Sequence, residues 1–288
     1  MVKEGNARGG ALTPVPSPGG RGESVGSRRS APSLLAVDVG NTNTVIGLFE
    51  GGVLANHWRL TTRREATSDE ITLSLRGLLA SAGSAEQLSC DAIVASVVPS
   101  LRFPMRQALR LVTGREPLFV EPGVRTGMPI LYDTPQEVGA DRIVNAVAAH
   151  ARLGGPCIVV DFGTATTFDV VTARGEYAGG VIVPGISISA EALFERAARL
   201  WRVEIRKPDR VVGKTTAGSI QSGLYFGYLS LVDGLIDRIS QEIGAKPRVI
   251  ATGGLAELFG SGTDKIEAVD PLLTLTGLLL IHERNRGG

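Results

Sequence analysis

The chain has 288 residues, enough for one large domain or two moderate ones. Hydrophobic residues make up 43 % and charged residues 20 %, so a sizeable core can form, and a net charge of +1 gives no electrostatic case for nucleic acid or an anionic membrane. Cys90 and Cys157 sit in apolar runs, and His57, His150 and His282 lack ligand spacing; both observations fit a reducing, cytoplasmic setting and argue against a disulfide framework or a His-based zinc site.

Gly, Pro, Ser and Arg dominate Gly5 to Ser33, and that stretch lacks the continuous apolar segment of a signal peptide. Residues 1–33 are therefore expected to form a disordered tail. No apolar run reaches the ~18 residues of a spanning helix, which argues against membrane insertion. Order is expected from Leu34. Leu34–Val39 reads as a strand, Thr44–Glu50 as a second, and Val53–Leu60 as its return after Gly51-Gly52. Ser68–Ala82 has helical spacing, with Ile71, Leu75, Leu78 and Leu79 on one face and Ser68 or Asp69 as the cap. A buried strand over Ala92–Val98, a helix over Pro104–Thr113 and a short strand over Pro117–Val120 follow. A long helix is predicted over Gly139–Leu153, closed by Gly154-Gly155-Pro156.

The pattern then restarts. Cys157–Asp161 and Thr167–Thr172 read as paired strands turned at Arg174-Gly175-Glu176, and Gly179–Gly185 as another strand and loop. Ser187–Leu200 and most of Ser219–Ile243 read as helices, Arg248–Thr252 as a strand, and Leu272–Glu283 as a closing apolar helix. Alternating strands and helices indicate an α/β fold.

The reason to divide the chain in two is a repeated motif. Val37-Asp38-Val39-Gly40-Asn41-Thr42-Asn43-Thr44 is echoed by Val160-Asp161-Phe162-Gly163-Thr164-Ala165-Thr166-Thr167, with the two Asp 123 residues apart. A strand ends in a turn, glycine admits close backbone approach, and Thr or Asn supplies donors beside a carboxylate that suits a cation. Two such loops face to face form a nucleotide cleft. Other nucleotide motifs fail: Gly213-Lys214-Thr215 would need glycine where Pro208 stands, and no GxGxxG follows a strand.

With Gly139-Ala140-Asp141-Arg142, Asp161–Asp169, Gly180–Ile186, Gln221-Ser222-Gly223 and Thr252-Gly253-Gly254, the chain resembles the actin, hexokinase and Hsp70 superfamily and, within it, the type III pantothenate kinases. The resemblance covers Leu34 to about Glu283. It implies two ribonuclease-H-like domains in tandem, 34–153 and 154–288, each a mixed sheet with flanking helices. It also implies transfer of the ATP γ-phosphate to pantothenate, the first step of coenzyme A biosynthesis, with Mg²⁺, K⁺ or NH₄⁺, and a homodimer.

Residue by residue, the resemblance implies ATP contacts from Asp38, Val39, Gly40, Asn41, Thr42, Asn43, Thr44, Val45 and Thr164. Asp38 falls near the magnesium-bound phosphates and Asp161 on the monovalent cation. Asp141 is implied as general base, and its place in a first helical turn favours the ionised form. Tyr132, Gly139, Ala140, Asp141, Arg142 and Thr216 are implied as substrate contacts, Arg142 suiting a carboxylate. Taken alone, Asp141 also reads as a helix-start acid paired with Arg142, and Gly253-Gly254 as a strand-end turn. The chain departs from the pattern at Thr215, where Asn is usual, and at Trp201, where proline is usual; Trp201 reads as a cover for the cleft, a subunit contact or packing under its loop. A kinase for another small hydroxylated or carboxylate substrate, or an accessory regulatory protein of the same fold, are the alternative readings.

Overall fold

The computed structural model describes residues 33–83, 89–197 and 200–286. The tail expected over residues 1–33 lies outside these, except for Ser33, as do residues 198–199 of the helix expected over Ser187–Leu200.

Ten strands form two sheets of the same plan. The first joins β1 (Ser33–Val39), β2 (Asn43–Glu50), β3 (Val53–Thr61), β4 (Asp91–Ser96) and β5 (Leu118–Phe119) in the order β3-β2-β1-β4-β5. The second joins β6 (Cys157–Phe162), β7 (Ala165–Val171), β8 (Tyr177–Pro184), β9 (Arg248–Gly253) and β10 (Ala268–Val269) in the order β8-β7-β6-β9-β10. In each, the central strand runs antiparallel to the next strand in sequence and parallel to the one on its other side. The motif repetition seen in the sequence is thus a repetition of topology.

Among the described residues eight α-helices surround the sheets: α1 (Ser68–Ser81), α2 (Arg102–Thr113), α3 (Ala140–Leu153), α4 (Ile186–Arg196), α5 (Thr216–Ser222), α6 (Tyr228–Ile243), α7 (Ala256–Gly260) and α8 (Leu273–Asn285). Both central strands are covered on both faces, so Leu34–Val37 and Cys157–Val160 are apolar without a break, up to Asp38 and Asp161. Their alternation separates three cores. Leu35 and Val37 face outward onto Leu75, Leu79 and Leu109 of α1 and α2. Ile158 and Val160 face the opposite exterior, onto Val232 and Ile236 of α6 and Phe259 of α7. Leu34 and Ala36 of β1, with Val159 of β6, face a middle layer made by α3 and α8. Small residues let that layer be thin. A Cβ on Gly277 would stand 2.1 Å from the Val144 carbonyl oxygen, so α8 approaches α3 at the backbone.

Several local expectations are corrected. The cap of α1 is Thr67, not Ser68 or Asp69: its hydroxyl accepts from the Glu70 amide at 3.3 Å while Glu70 accepts from the Thr67 amide at 2.9 Å, so two terminal donors are satisfied reciprocally. Helix α2 starts two residues before Pro104, which fits a first turn because its N–H is not needed there. The helical stretch expected from Ser219 begins at Thr216 and contains a π-helical turn at Gly223–Gly227. Strand β7 begins at Ala165, and β10 and α7 are short elements with no periodic signal.

Candidate active site

Asp38 and Asp161 occupy equivalent places one residue from the ends of β1 and β6. Each strand then turns sharply back. Gly40 N–H donates to the Asn43 carbonyl at 3.0 Å, and a Cβ at Gly40 would lie 3.0 Å from that same oxygen, so this turn uses the missing side chain. The two loops meet across a cleft of about 440 Å³, where the Thr42 and Thr164 hydroxyls are 2.7 Å apart. The floor carries Asp38, Asp141 and Asp161, and the far wall carries Gly253-Gly254.

Asp141 enters from α3. Gly139 is the N-cap residue, and a Cβ there would stand 2.6 Å from Asp141 Oδ1, so the glycine leaves room for the carboxylate. The Arg142 amide donates to Asp141 Oδ1 at 2.8 Å. The helix end and this bond favour the anion, yet burial dominates and holds the Asp141 carboxyl above its usual range. Asp38 is raised well above its usual value by burial first, then by the charges of Asp141 and Asp161, with Arg59 opposing. Asp161 is pushed up to about 7 by burial, then by Asp141 and Asp169, although Asn145 Nδ2 donates to it at 3.2 Å. Three carboxylates that penalise each other's ionisation form a site waiting for positive charge.

That donor set fits a cation delivered with phosphates. Among the described residues no three His, Cys, Asp or Glu side chains come close enough to hold a metal ion by themselves. A magnesium ion that keeps waters and phosphate oxygens needs only one or two protein carboxylates, which Asp38 and its neighbours can supply.

The residues singled out in the sequence are distributed unevenly. Asp38, Gly40, Asn41, Thr42, Asn43, Val45, Asp141, Asp161 and Thr164 line the cleft. Val39 is fully buried in the outer core, and Thr44 is buried with its hydroxyl 2.9 Å from that of Thr62. Gly139 and Ala140 line a neighbouring cavity of about 870 Å³ that shares Val97 with the cleft. Thr216 is exposed in the first turn of α5 and lines neither space. Thr215 caps that helix, accepting from the Gly218 amide at 3.0 Å, so hydroxyl for amide at this position preserves a cap. Trp201 is 57 % exposed, which rules out packing beneath its loop.

Arg142 is not paired with Asp141 through its side chain. Its Nε donates to Asp169 Oδ1 at 2.7 Å, its guanidinium lies over the Tyr177 ring at 5.8 Å, and its Nη2 is buried with no partner among the described residues. Tyr132 packs beside the Tyr177 ring, with centroids 6.3 Å apart. Asp169 closes the Asp161–Asp169 motif but was given no role in the sequence, and Tyr177 went unnoticed, although the period of two along β7 puts Asp169 on the same face as Thr167. Arg59, on the edge strand β3, also lines the cleft. No local pattern marks it among the 30 Lys and Arg residues.

The model of the type III pantothenate kinase family matches residues 34–238. A type III pantothenate kinase of Koribacter versatilis is 54 % identical over 263 residues, spanning 88 % of this chain and 96 % of the relative. One from Moorella thermoacetica is 50 % identical over 252 residues, spanning 88 % and 99 %. Among solved structures, a Campylobacter jejuni protein described as a Baf family transcriptional activator aligns with a TM-score of 0.56 at 21 % identity, covering 87 % of this chain and 98 % of that one. The ethanolamine utilization protein EutJ of Carboxydothermus hydrogenoformans aligns with a TM-score of 0.52 at 15 % identity, covering 87 % and 90 %. These two likenesses bear on the fold alone, and they agree with the tandem, actin-like plan of two mixed sheets. On the match over most of its described length, the chain belongs to the type III pantothenate kinase family.

Proposed function

We propose that this protein is an ATP-dependent kinase that phosphorylates the hydroxyl of pantothenate, giving 4′-phosphopantothenate for coenzyme A biosynthesis. The observation that carries the reading is the convergence of Asp38, Asp141 and Asp161 between two facing phosphate loops, in a chain of this family. The loops from Gly40 to Asn43 and around Thr164 would hold the triphosphate, with Thr42 and Thr164 as hydroxyl donors. Asp38 would hold magnesium on the phosphates, and Asp161 a monovalent cation, K⁺ or NH₄⁺. Bound magnesium neutralises charge on the transferring phosphoryl group.

The remaining work belongs to side chains of this protein. Asp141 accepts the acceptor's hydroxyl proton as its oxygen bonds to the γ-phosphorus, while the bond to the β-phosphate oxygen breaks and ADP leaves. The raised affinity of Asp141 for a proton suits it to this role. The Arg142 amide and the start of α3 favour its ionised form before transfer. Arg142 would take the acceptor's carboxylate, and its unpartnered Nη2 supports that assignment. Tyr132, Gly139 and Ala140 would shape the acceptor side of the same helix start. Thr216, remote from the cleft, would act through a loop movement or a second subunit. Exposed Ile188, Leu193 and Trp201 support a homodimer. No described helix is long and apolar enough to cross a membrane. The two halves, 34–153 and 154–288, would close around one cleft, and the kinase would work in the cytoplasm.

The test is ATP turnover dependent on pantothenate, with and without K⁺, for wild type and Asp141→Asn. Phosphorylation that collapses in the variant is expected. Wild-type protein that binds ATP but leaves pantothenate untouched would remove the proposal, and equal turnover in the variant would remove the role given to Asp141.

A further inference from the structure

The Arg142 guanidinium is a buried cation with one amine left over. Only 8 % of the residue is exposed, and Nη2 has no partner among the described residues. A buried donor left unsatisfied is costly, so the other contacts of the guanidinium must hold it in place. The enforcing group is Asp169 on β7, which is fully buried. Its Oδ1 accepts from Arg142 Nε at 2.7 Å and from the Tyr177 hydroxyl at 2.8 Å, while its Oδ2 accepts from the Thr167 hydroxyl at 3.0 Å. Both carboxylate oxygens are thus fixed, and the carboxylate engages the guanidinium through Nε alone.

This geometry has a specific consequence. A bidentate carboxylate would occupy Nε together with an Nη amine, or both Nη amines, leaving the guanidinium with less to offer. Asp169 instead takes Nε at one end, and Tyr177 supports the flat face of the group at 5.8 Å. Gly180 leaves the Nη edge its room, because a Cβ there would lie 3.1 Å from Nη2. The guanidinium is held in one orientation by Asp169 and Tyr177, which do not line the cleft, while Thr167, which fixes the other oxygen of Asp169, does.

We propose that Asp169, with Thr167 and Tyr177, is a positioning device that fixes Arg142 to select acceptors ending in a carboxylate. The inference rests on the kinase reading above and deepens it: the device acts on acceptor choice and leaves the nucleotide side alone. It makes the acceptor's charged end, not its hydroxyl end, the part read by an arginine of the first half that the second half holds in place.

The experiment compares pantothenate with its neutral analogue, in which an alcohol replaces the carboxylate, for wild type, Asp169→Asn and Tyr177→Phe. For Asp169→Asn we expect KM for pantothenate to rise about ten- to a hundredfold, the range spanned by one charged hydrogen bond. KM for ATP should stay within about twofold, and the preference for pantothenate over the neutral analogue should fall by the same factor as KM rises. Tyr177→Phe, which keeps the ion pair, should lose about threefold to tenfold of that preference. Should Asp169→Asn fail to fold, judged by its melting transition, Tyr177→Phe decides the question. Equal losses with both acceptors, or an unchanged preference in a folded variant, would overturn the inference. Calorimetric binding of the two acceptors reads the same preference without turnover. Wild type that binds pantothenate selectively yet does not phosphorylate it would count against the kinase reading and not against the device.

Discussion

The hydroxyls of Thr42 and Thr164 lie 2.7 Å apart although 122 residues separate them in the chain. They belong to the two repeated loops but stand one place out of register, Thr164 corresponding to Asn41 and Thr42 to Ala165, so the two copies touch each other at the cleft. A triphosphate entering between them must exchange this bond for its own oxygens. Removing it costs little in the empty protein, since a single exposed neutral hydrogen bond contributes about 1 kcal/mol or less. Thr164→Val should therefore melt within a few degrees of wild type while its KM for ATP rises several-fold; a large loss of melting temperature would mean that the contact is structural.

Asp141→Asn keeps the shape of the side chain and removes its basicity. A fall in kcat of about a hundred- to ten-thousandfold is expected, with pantothenate binding largely intact. Steady-state kinetics and calorimetry on the same preparation separate the two. Retained kcat would move the proton acceptor elsewhere.

Arg59 lies on the edge strand and reaches the far wall: its Nη1 is 3.6 Å from where a Cβ on Gly254 would be. It is also the group whose charge lowers the proton affinity of Asp38. In Arg59→Gln the KM for ATP should rise about tenfold, with KM for pantothenate nearly unchanged. An effect confined to the acceptor would contradict this placement.

The carboxylate cluster makes stability depend on pH in a definite direction. Asp161 titrates near 7 in the folded chain against 3.8 as its ordinary value. A carboxyl raised by folding stabilises the fold fully below the unfolded value, and that contribution is lost as pH rises through the folded one. The nucleotide-free protein should therefore lose melting temperature between about pH 4 and 7. Asp161→Asn should flatten the slope. Magnesium-ATP should do the same by supplying positive charge, and its binding should release protons, measurable as a dependence of the calorimetric heat on buffer ionisation enthalpy.

Gly253 offers a steric test. Its φ is +93°, and a Cβ would stand 2.5 Å from Asp161 Oδ1. Gly253→Ala should destabilise by on the order of 1–3 kcal/mol through strain and should weaken ATP binding through displacement of Asp161. Denaturant titration and nucleotide binding check the two effects.

Much of this architecture could be read in the chain because burial imposes a pattern. The uninterrupted apolar runs before Asp38 and Asp161 are those of strands covered on both faces, and the repeated loop is visible because close approach demands glycine at Gly40 and Gly163. Asp141 was legible from its place at a helix start. What escaped was long-range. Nothing near Asp169 announces that a residue 27 positions earlier will donate to it. Arg59 acquires its meaning only when β3 folds along the cleft. The cap at Thr67 was missed for a local reason: Ser68 and Asp69 are equally good caps by type, and only the reciprocal bond with Glu70 chooses between them.

The helix α8 packs on α3 and sends Leu273, Leu275, Leu278 and Ile281 into the core that also holds Leu34, Phe49 and Ile93. A helix of the second half therefore completes the core of the first sheet. On a ribosome, the inner face of that first sheet, which α3 covers only in part, waits for Leu273 and the residues after it to emerge. Leu278, fully buried there, would cost about 2–5 kcal/mol on truncation to alanine. Order along the chain and order of assembly are thus uncoupled: the first half cannot complete its core without a helix that the second half supplies.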